Sequence, residues 1–379
     1  MSFKVAVFSI ELFTPTAKFI KRDLVGLNSV SFFAHKKRIP SNDFKDLIVH
    51  TPGFNVVERV VSFFSRTFGF QYYFMSARMK RYYLEEFQKQ KIELVIAHFG
   101  PSGIDILDIC RMLNLPLIVV FHGYDISKLI VNKSYLRGLN RLNQYHKMNA
   151  RAVAKFFLPV LSQYIDVNKI FIIPNGVEVG ESFNYVSLDG DIFIIQAANL
   201  VEKKGIEYSI MAVIELIKLF PNKKINFDIC GDGPLMKSLV ELVGDKYRNN
   251  IRFHGHLAGD EFKNLMTRAN IFLHPSVKDS NGETETIPTS ILEAMSMGKI
   301  VVTTIHAGIP EVILNGFSGF MVAERSVVDL VSIMSDLVER ADYYNYISVN
   351  AHEKIRIDFN LKTQYKMLSQ EITRLVCEE

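Results

Sequence analysis

Short runs of β-branched and other apolar residues recur along the chain, each followed by a stretch of helical pattern, and this alternation leaves few folds open. In the first half Val5–Ser9, Leu94–His98, Leu117–Phe121, Phe156–Val160 and Ile170–Ile173 read as strands. In the second half Ile192–Gln196, Asn226–Cys230, Ile251–His254, Ile271–His274 and Ile300–Thr304 read the same way. Strands joined by helical crossovers build an open parallel α/β sheet. Ligands in such sheets sit beyond the carboxyl ends of the strands, so the residues just past those ends are the ones to inspect. At 379 residues the chain exceeds one ordinary core, and two domains are expected.

The stretch Asp279 to Glu311 organises the second half as loop, helix, strand and loop. Glu285 and Glu293 have seven residues between them. Pro288 suits the first turn of a helix, ILEAMSM is built of good helix formers, and Gly298 can close the helix. Glu285 then lies in the loop before the helix and Glu293 about two turns along it. Both carboxylates and the first free N–H groups of the helix can face one cleft. Upstream, Ala197–Gly205 carries Asn199, Lys203 and Lys204 between a strand and a helix, an arrangement physically suited to a diphosphate. Gly231-Asp232-Gly233-Pro234 follows the next strand and permits close backbone approach. In the first half, His98-Phe99-Gly100 and His122-Gly123-Tyr124-Asp125 follow strands. Each His can instead simply cap its strand.

The ordered set of Glu285, Glu293, Ala294-Met295-Ser296-Met297-Gly298 and Gly308-Ile309-Pro310-Glu311 closely resembles the donor-sugar signature of retaining glycosyltransferases of family 4. The two histidine motifs resemble those of bacterial exopolysaccharide and colanic-acid-type members. The likeness spans nearly the whole chain, strongest from Gln196 to Gly319 and looser before residue 90. It implies the GT-B fold, two Rossmann-like domains facing across a cleft. Residues 1–180 would form the acceptor domain, 181–358 the nucleotide-sugar domain, and 359–379 a helix returning to the first.

The resemblance implies roles for individual residues. His122, Lys204 and Glu285 take the catalytic positions: His122 on the transferred sugar, Lys204 on the departing diphosphate, Glu285 on the donor-sugar hydroxyls. Glu293 matches the residue that holds the ribose. Asn199, Lys203, Gly231, Gly233 and Pro288 belong to the donor side, and Gly308, Ile309, Pro310 and Glu311 to a sugar or diphosphate loop. Thr14, His98, Gly100 and Asp125 are candidates for the acceptor side. Two positions depart from the family pattern. Asn199 stands where an Arg is usual, and it lacks both the charge and the bidentate fork. Thr286 replaces a Gly that often follows the first glutamate. The loop after the first strand also carries no glycine.

The implied activity is transfer of a sugar from a nucleotide donor, UDP- or GDP-linked, to a glycan or polyprenyl-diphosphate-linked acceptor. The setting implied is bacterial surface polysaccharide or lipopolysaccharide assembly. A non-catalytic assembly subunit and a nucleotide-sugar epimerase are the alternatives. No Gly-x-Gly-x-x-Gly follows the first strand, which argues against a nicotinamide dehydrogenase. No cofactor and no catalytic metal are expected. Asp189-Gly190-Asp191 precedes a strand and reads as a turn, and His254-Gly255-His256 has no third ligand nearby in sequence.

Charge adds a location. Residues 1–180 hold 24 Lys and Arg against 13 Asp and Glu, and the remainder 20 against 27. A basic half suits an anionic membrane face better than nucleic acid, for which no motif is present. Within it, residues 56–91 interleave aromatic side chains with Arg and Lys, as an interfacial helix does and as two ordinary core helices do. The apolar run Val5 to Ile10 is too short for a signal peptide, and no stretch is long enough to span a bilayer. Three scattered cysteines offer no disulfide framework. The expected location is cytoplasmic, with peripheral attachment to the inner face of the inner membrane.

Overall fold

The computed structural model describes residues 3–9, 20, 27, 30–34, 48–50, 75–180, 183, 188, 190–257, 259–340 and 345–377. Thr14 and residues 56–74 of the aromatic and basic stretch lie outside them. The chain divides into two compact units, Met1–Asn175 with Gln364–Glu379, and Gly176–Thr363.

The first unit is a parallel sheet of β1 (Val5–Ser9), β2 (Val30–Ala34), β3 (Ile48–His50), β4 (Leu94–His98), β5 (Leu117–Phe121), β6 (Met148–Ala152) and β7 (Ile170–Ile172), in the order β3-β2-β1-β4-β5-β6-β7. Its central strands are buried along their whole length, which is why they read as continuous apolar runs rather than alternating ones. One face of the sheet packs Val5, Val7, Leu94, Ile96, Ile118 and Val120 against Leu368 and Ile372 of the last helix, Leu361–Cys377. The helix Ala77–Gln90 is capped by Ser76, whose Oγ accepts from the Met79 N–H at 3.2 Å. Its Tyr83 meets Phe8 of β1 edge to face at 5.6 Å between centroids.

Phe156–Val160 is not a strand. It folds as a 3-10 turn, Lys155–Phe157, followed by the short helix Leu158–Leu161. Pro159 has no N–H for a ladder bond and suits a helical first turn instead. The strand at that point in the order is β6, where Asn149 and Arg151 interrupt the apolar pattern. Arg151 is fully buried and donates from Nε to the Ile173 carbonyl (2.9 Å) and from Nη2 to the Pro174 carbonyl (3.3 Å).

The second unit repeats the plan. Its strands are β8 (Ile192–Ala197), β9 (Ile225–Cys230), β10 (Ile251–Gly255), β11 (Ile271–His274), β12 (Ile300–Thr304) and β13 (Phe320–Val322), all parallel, in the order β10-β9-β8-β11-β12-β13. The helices Ile206–Leu219 and Val327–Glu339 cover one core through Ile210, Val213, Leu216, Leu330, Met334 and Leu337. In each unit the chain starts at a central strand, builds to one side and then returns to build the other. Two loops therefore diverge at β1/β4 and at β8/β11, and those points form the ligand crevices of a doubly wound sheet. Among the described residues no helix is long and apolar enough to cross a membrane.

Candidate active site

In the second unit the switch point lies between the loops that leave β8 and β11. The β8 loop ends in a 3-10 turn, Glu202–Lys204, and Gly205 caps the following helix at φ +61°. A Cβ at Gly205 would stand 1.9 Å from the Pro275 carbonyl oxygen, so glycine lets the helix start pass directly against the β11 loop. Polar bonds then tie the two loops together. The Val277 N–H donates to the Lys203 carbonyl (3.0 Å), while within the β8 segment Gln196 Nε2 donates to the Lys204 carbonyl (3.0 Å). Glu202 accepts from the Ser280 N–H (3.0 Å) and Oγ (2.7 Å).

This lacing brings both lysines onto the acids of the organising stretch. Lys204 Nζ is 2.8 Å from Glu285 Oε2, and Lys203 Nζ is 3.8 Å from Glu285 Oε1 and 3.3 Å from Glu283 Oε2. Glu285 is buried, which alone would raise its pKa. Lys204 and Lys203 outweigh that and hold the carboxyl down at about 2. It is therefore ionised at neutral pH, and its buried Oε1 accepts no hydrogen bond from the described residues. A carboxylate oxygen of this kind has capacity for a ligand hydroxyl. His274, fully buried at the end of β11, is driven to about 3 by burial and by the nearby Lys204 charge, so it is a neutral member of this environment.

The helix of the organising stretch begins at Pro288, as its cap, and spans Thr289–Ser296. Glu293 sits on it, half-buried. The helix closes as read: Gly298 donates to the Met295 carbonyl (2.9 Å) and Lys299 to that of Ala294 (3.0 Å), the Schellman pattern. The Gly308–Glu311 loop meets the same region, where the Gly308 N–H donates to the Thr286 carbonyl at 3.2 Å. Ile309–Glu311 is a 3-10 turn with Ile309 buried and Pro310 exposed.

Gly231 and Gly233 let two loops meet. A Cβ at Gly231, where φ is +145°, would stand 1.8 Å from the Ala198 carbonyl oxygen, and one at Gly233 would stand 2.5 Å from that of Leu200. The β9 loop thus lies backbone to backbone on the β8 loop, and the Leu200 N–H donates to the Asp232 carbonyl at 2.9 Å. Asn199 lies between these contacts with its side chain exposed.

In the first unit the ends of β4 and β5 assemble a second cluster. His98 Nδ1 and His122 Nε2 are 3.1 Å apart with their rings stacked. Burial, then His98 and Arg151, push the His122 pKa well below the usual imidazole range. Asp125 accepts from the Gly100 N–H (2.9 Å) through Oδ2, and from His122 (3.0 Å) and Gly123 (3.0 Å) through Oδ1. It is fully buried, which pushes it up to about 6 against the pull of those N–H groups. Asp125 therefore clamps the His122 loop to the start of the helix Gly100–Leu113. Gly100 packs under Tyr135, whose hydroxyl oxygen would lie 2.0 Å from an added Cβ.

Sequence reading passed over Glu283, His306 and Glu324. The His306 Nδ1 is 2.6 Å from Glu324 Oε1, and its Nε2 is 3.0 Å from the backbone nitrogen of Glu285. The signal was a His inside the β12 loop, two residues before Gly308. His254 binds Asp228 at 2.7 Å. Among the described residues no group of three His, Cys, Asp or Glu is placed to hold a metal ion.

Two doubly wound parallel units are the architecture of the GT-B fold. Residues 181–354 match the family model for glycosyl transferases group 1, and with the relatives that follow this makes the chain a glycosyltransferase. WcaL of Salmonella typhimurium, whose name assigns it provisionally to colanic acid biosynthesis, is 29% identical over 73% of this chain and 69% of its own length. The amylovoran biosynthesis glycosyltransferase AmsK of Erwinia amylovora is 27% identical over 75% and 70%. Among solved structures, Anabaena Alr3699/HepE in complex with UDP superimposes with a TM-score of 0.79 at 15% identity, over 98% of this chain and 100% of that one.

Proposed function

We propose that the chain is a retaining glycosyltransferase of family 4 that takes a UDP- or GDP-sugar donor and elongates a glycan or polyprenyl-diphosphate-linked acceptor. Bacterial exopolysaccharide assembly is the setting suggested by the names of WcaL and AmsK. The observation that carries the donor assignment is the buried Glu285 carboxylate, 2.8 Å from Lys204, at the β8/β11 switch point. HepE structures with UDP-glucose support a nucleotide sugar as the ligand class.

In this reading Glu285 Oε1 accepts a donor-sugar hydroxyl, and Glu293 accepts from the ribose. Lys204 and Lys203 swing part of their charge to the diphosphate as it departs. The bond from the anomeric carbon to the phosphate oxygen breaks. The acceptor oxygen bonds to that carbon on the same face, and its proton passes to the leaving phosphate oxygen. His122, held by Asp125 and His98, contacts the transferred sugar. With the leaving charge met by two ammonium groups, chelators should leave the rate unchanged. The acceptor's lipid and the basic balance of residues 1–180 favour a peripheral position on the cytoplasmic face of the inner membrane.

The test is calorimetric binding and transfer with a panel of nucleotide sugars, in excess EDTA and without it, for wild type and Glu285→Gln. One donor bound saturably by wild type, and at least about tenfold more weakly by the variant, is the expected result. Binding without turnover in the presence of lipid-linked acceptors would point to an assembly subunit. Failure of wild type to bind any nucleotide sugar would overturn the reading.

A further inference from the structure

Glu285 holds its position through more than its own side chain. Its backbone N–H points at His306 Nε2, 3.0 Å away, so that nitrogen must be the unprotonated acceptor of the ring. The proton of the neutral imidazole then lies on Nδ1, which faces Glu324 Oε1 at 2.6 Å. His306 is buried at 3% exposure, whereas the Glu324 side chain is 26% exposed.

Glu324 is fixed in turn. Its Oε2 accepts from the Lys278 N–H at 2.9 Å and lies 3.4 Å from Arg325 Nη1. Arg325 also donates to the Lys278 carbonyl. The relay thus starts in the loop after β13, crosses the loop after β12, and ends on the β11 loop that carries Glu285. These are adjacent strands in the sheet order, so their carboxyl-end loops are neighbours. The opposite tautomer would set an N–H against an N–H at Glu285 and leave Glu324 facing a bare nitrogen.

We propose that His306 and Glu324 are positioning residues: the Glu324 carboxylate fixes the Nδ1–H tautomer of His306, and His306 Nε2 anchors the Glu285 backbone so that the side chain meets the donor sugar. The inference rests on the donor role given to Glu285 above. It differs from a general structural role because the anchor acts on the sugar contact and not on the nucleotide.

Two measurements separate these. Nitrogen-15 spectra of histidine-labelled full chain, with His306 assigned by its loss in His306→Gln, should show Nδ1 protonated and Nε2 unprotonated at neutral pH. Calorimetry with UDP-glucose and GDP-mannose, and with UDP and GDP alone, should show His306→Ala weakening the sugar nucleotide about tenfold while leaving the free nucleotide unchanged. His306→Gln, whose side-chain carbonyl can accept from the Glu285 N–H, should recover most of the loss. Amide exchange at Glu285 should quicken in the Ala variant and not in the Gln variant.

An Nε2-protonated ring, an Ala variant that binds the sugar nucleotide as wild type does, or an equal loss for nucleotide and sugar nucleotide without rescue by Gln would each overturn the proposal. If wild type binds no nucleotide sugar, the donor assignment itself fails. The anchor is then judged by the tautomer and the Glu285 exchange rate, which need no ligand.

Discussion

Replacing Glu285 by Gln removes the carboxylate that Lys204 and Lys203 share, at 2.8 and 3.8 Å, and keeps nearly the same shape. Burial works to neutralise this group, yet the two ammonium charges hold it at about 2 against an ordinary 4.5. That difference corresponds to about 3 kcal/mol of native-state stability at neutral pH. It matches the roughly 3–5 kcal/mol that breaking one side of a buried ion pair costs. Solvent screening takes little from it, because Glu285 is only 8% exposed.

The sign follows from the folded value being the lower one. The contribution is complete above pH 4.5 and is lost as pH falls from there toward 2. Urea unfolding of wild type and Glu285→Gln, followed by circular dichroism at pH 7, 5, 4 and 3, measures the gap at each pH, and carboxylates common to both chains cancel. The gap should be about 3 kcal/mol at pH 7 and shrink to about half of that by pH 3. A gap below about 1 kcal/mol at pH 7, or one that stays constant down to pH 3, refutes the view that the lysines hold this carboxylate charged in a buried site.

Gly205→Ala meets two penalties at once, a left-handed backbone at φ +61° and the Pro275 carbonyl in the space of the new methyl. It should cost about 3 kcal/mol, read as a lowered Tm, and should weaken donor binding because the β8 loop carries both lysines. Lys299 is buried, with its ammonium on the Thr267 carbonyl at 2.8 Å and its pKa pushed down by burial to about 8. Lys299→Met should stabilise the chain by about 1 kcal/mol at pH 7. The gain should fade as pH rises from 8 toward 10.5, because the wild-type lysine then loses the charge that burial penalises.

Elements with strong local signals were legible from sequence. β4, β5, β11, β12 and the helix Ile206–Leu219 fall where apolar runs and helical pattern put them. The failures have physical causes. Phe156–Val160 is apolar enough for a strand, but Pro159 settles it as helix. β6 escaped because a buried Arg151, satisfied by carbonyls of the next strand's end, looks polar in a list of residues. Short strands such as β13, with three residues, owe their conformation to a neighbour already in place, here β12.

The site shows the same division more sharply. Residue types in the loops were readable, but their partners depend on strand order. Lys204 and Glu285 are 81 positions apart in sequence, and they meet because the chain, having built β9 and β10 on one side of β8, returns to place β11 on the other. That return sets the β8 and β11 loops side by side, and Gly205 lets them close to backbone contact. The same geometry shows what Gly231 and Gly233 lie against within the chain, the Ala198 and Leu200 carbonyls. A glycine in a strand-end loop signals close approach, and only the sheet order says to what. His306 illustrates the converse. Its neighbours in sequence say little, yet the order β11-β12-β13 puts its loop between the other two, where a single ring reaches both the Glu285 backbone and Glu324.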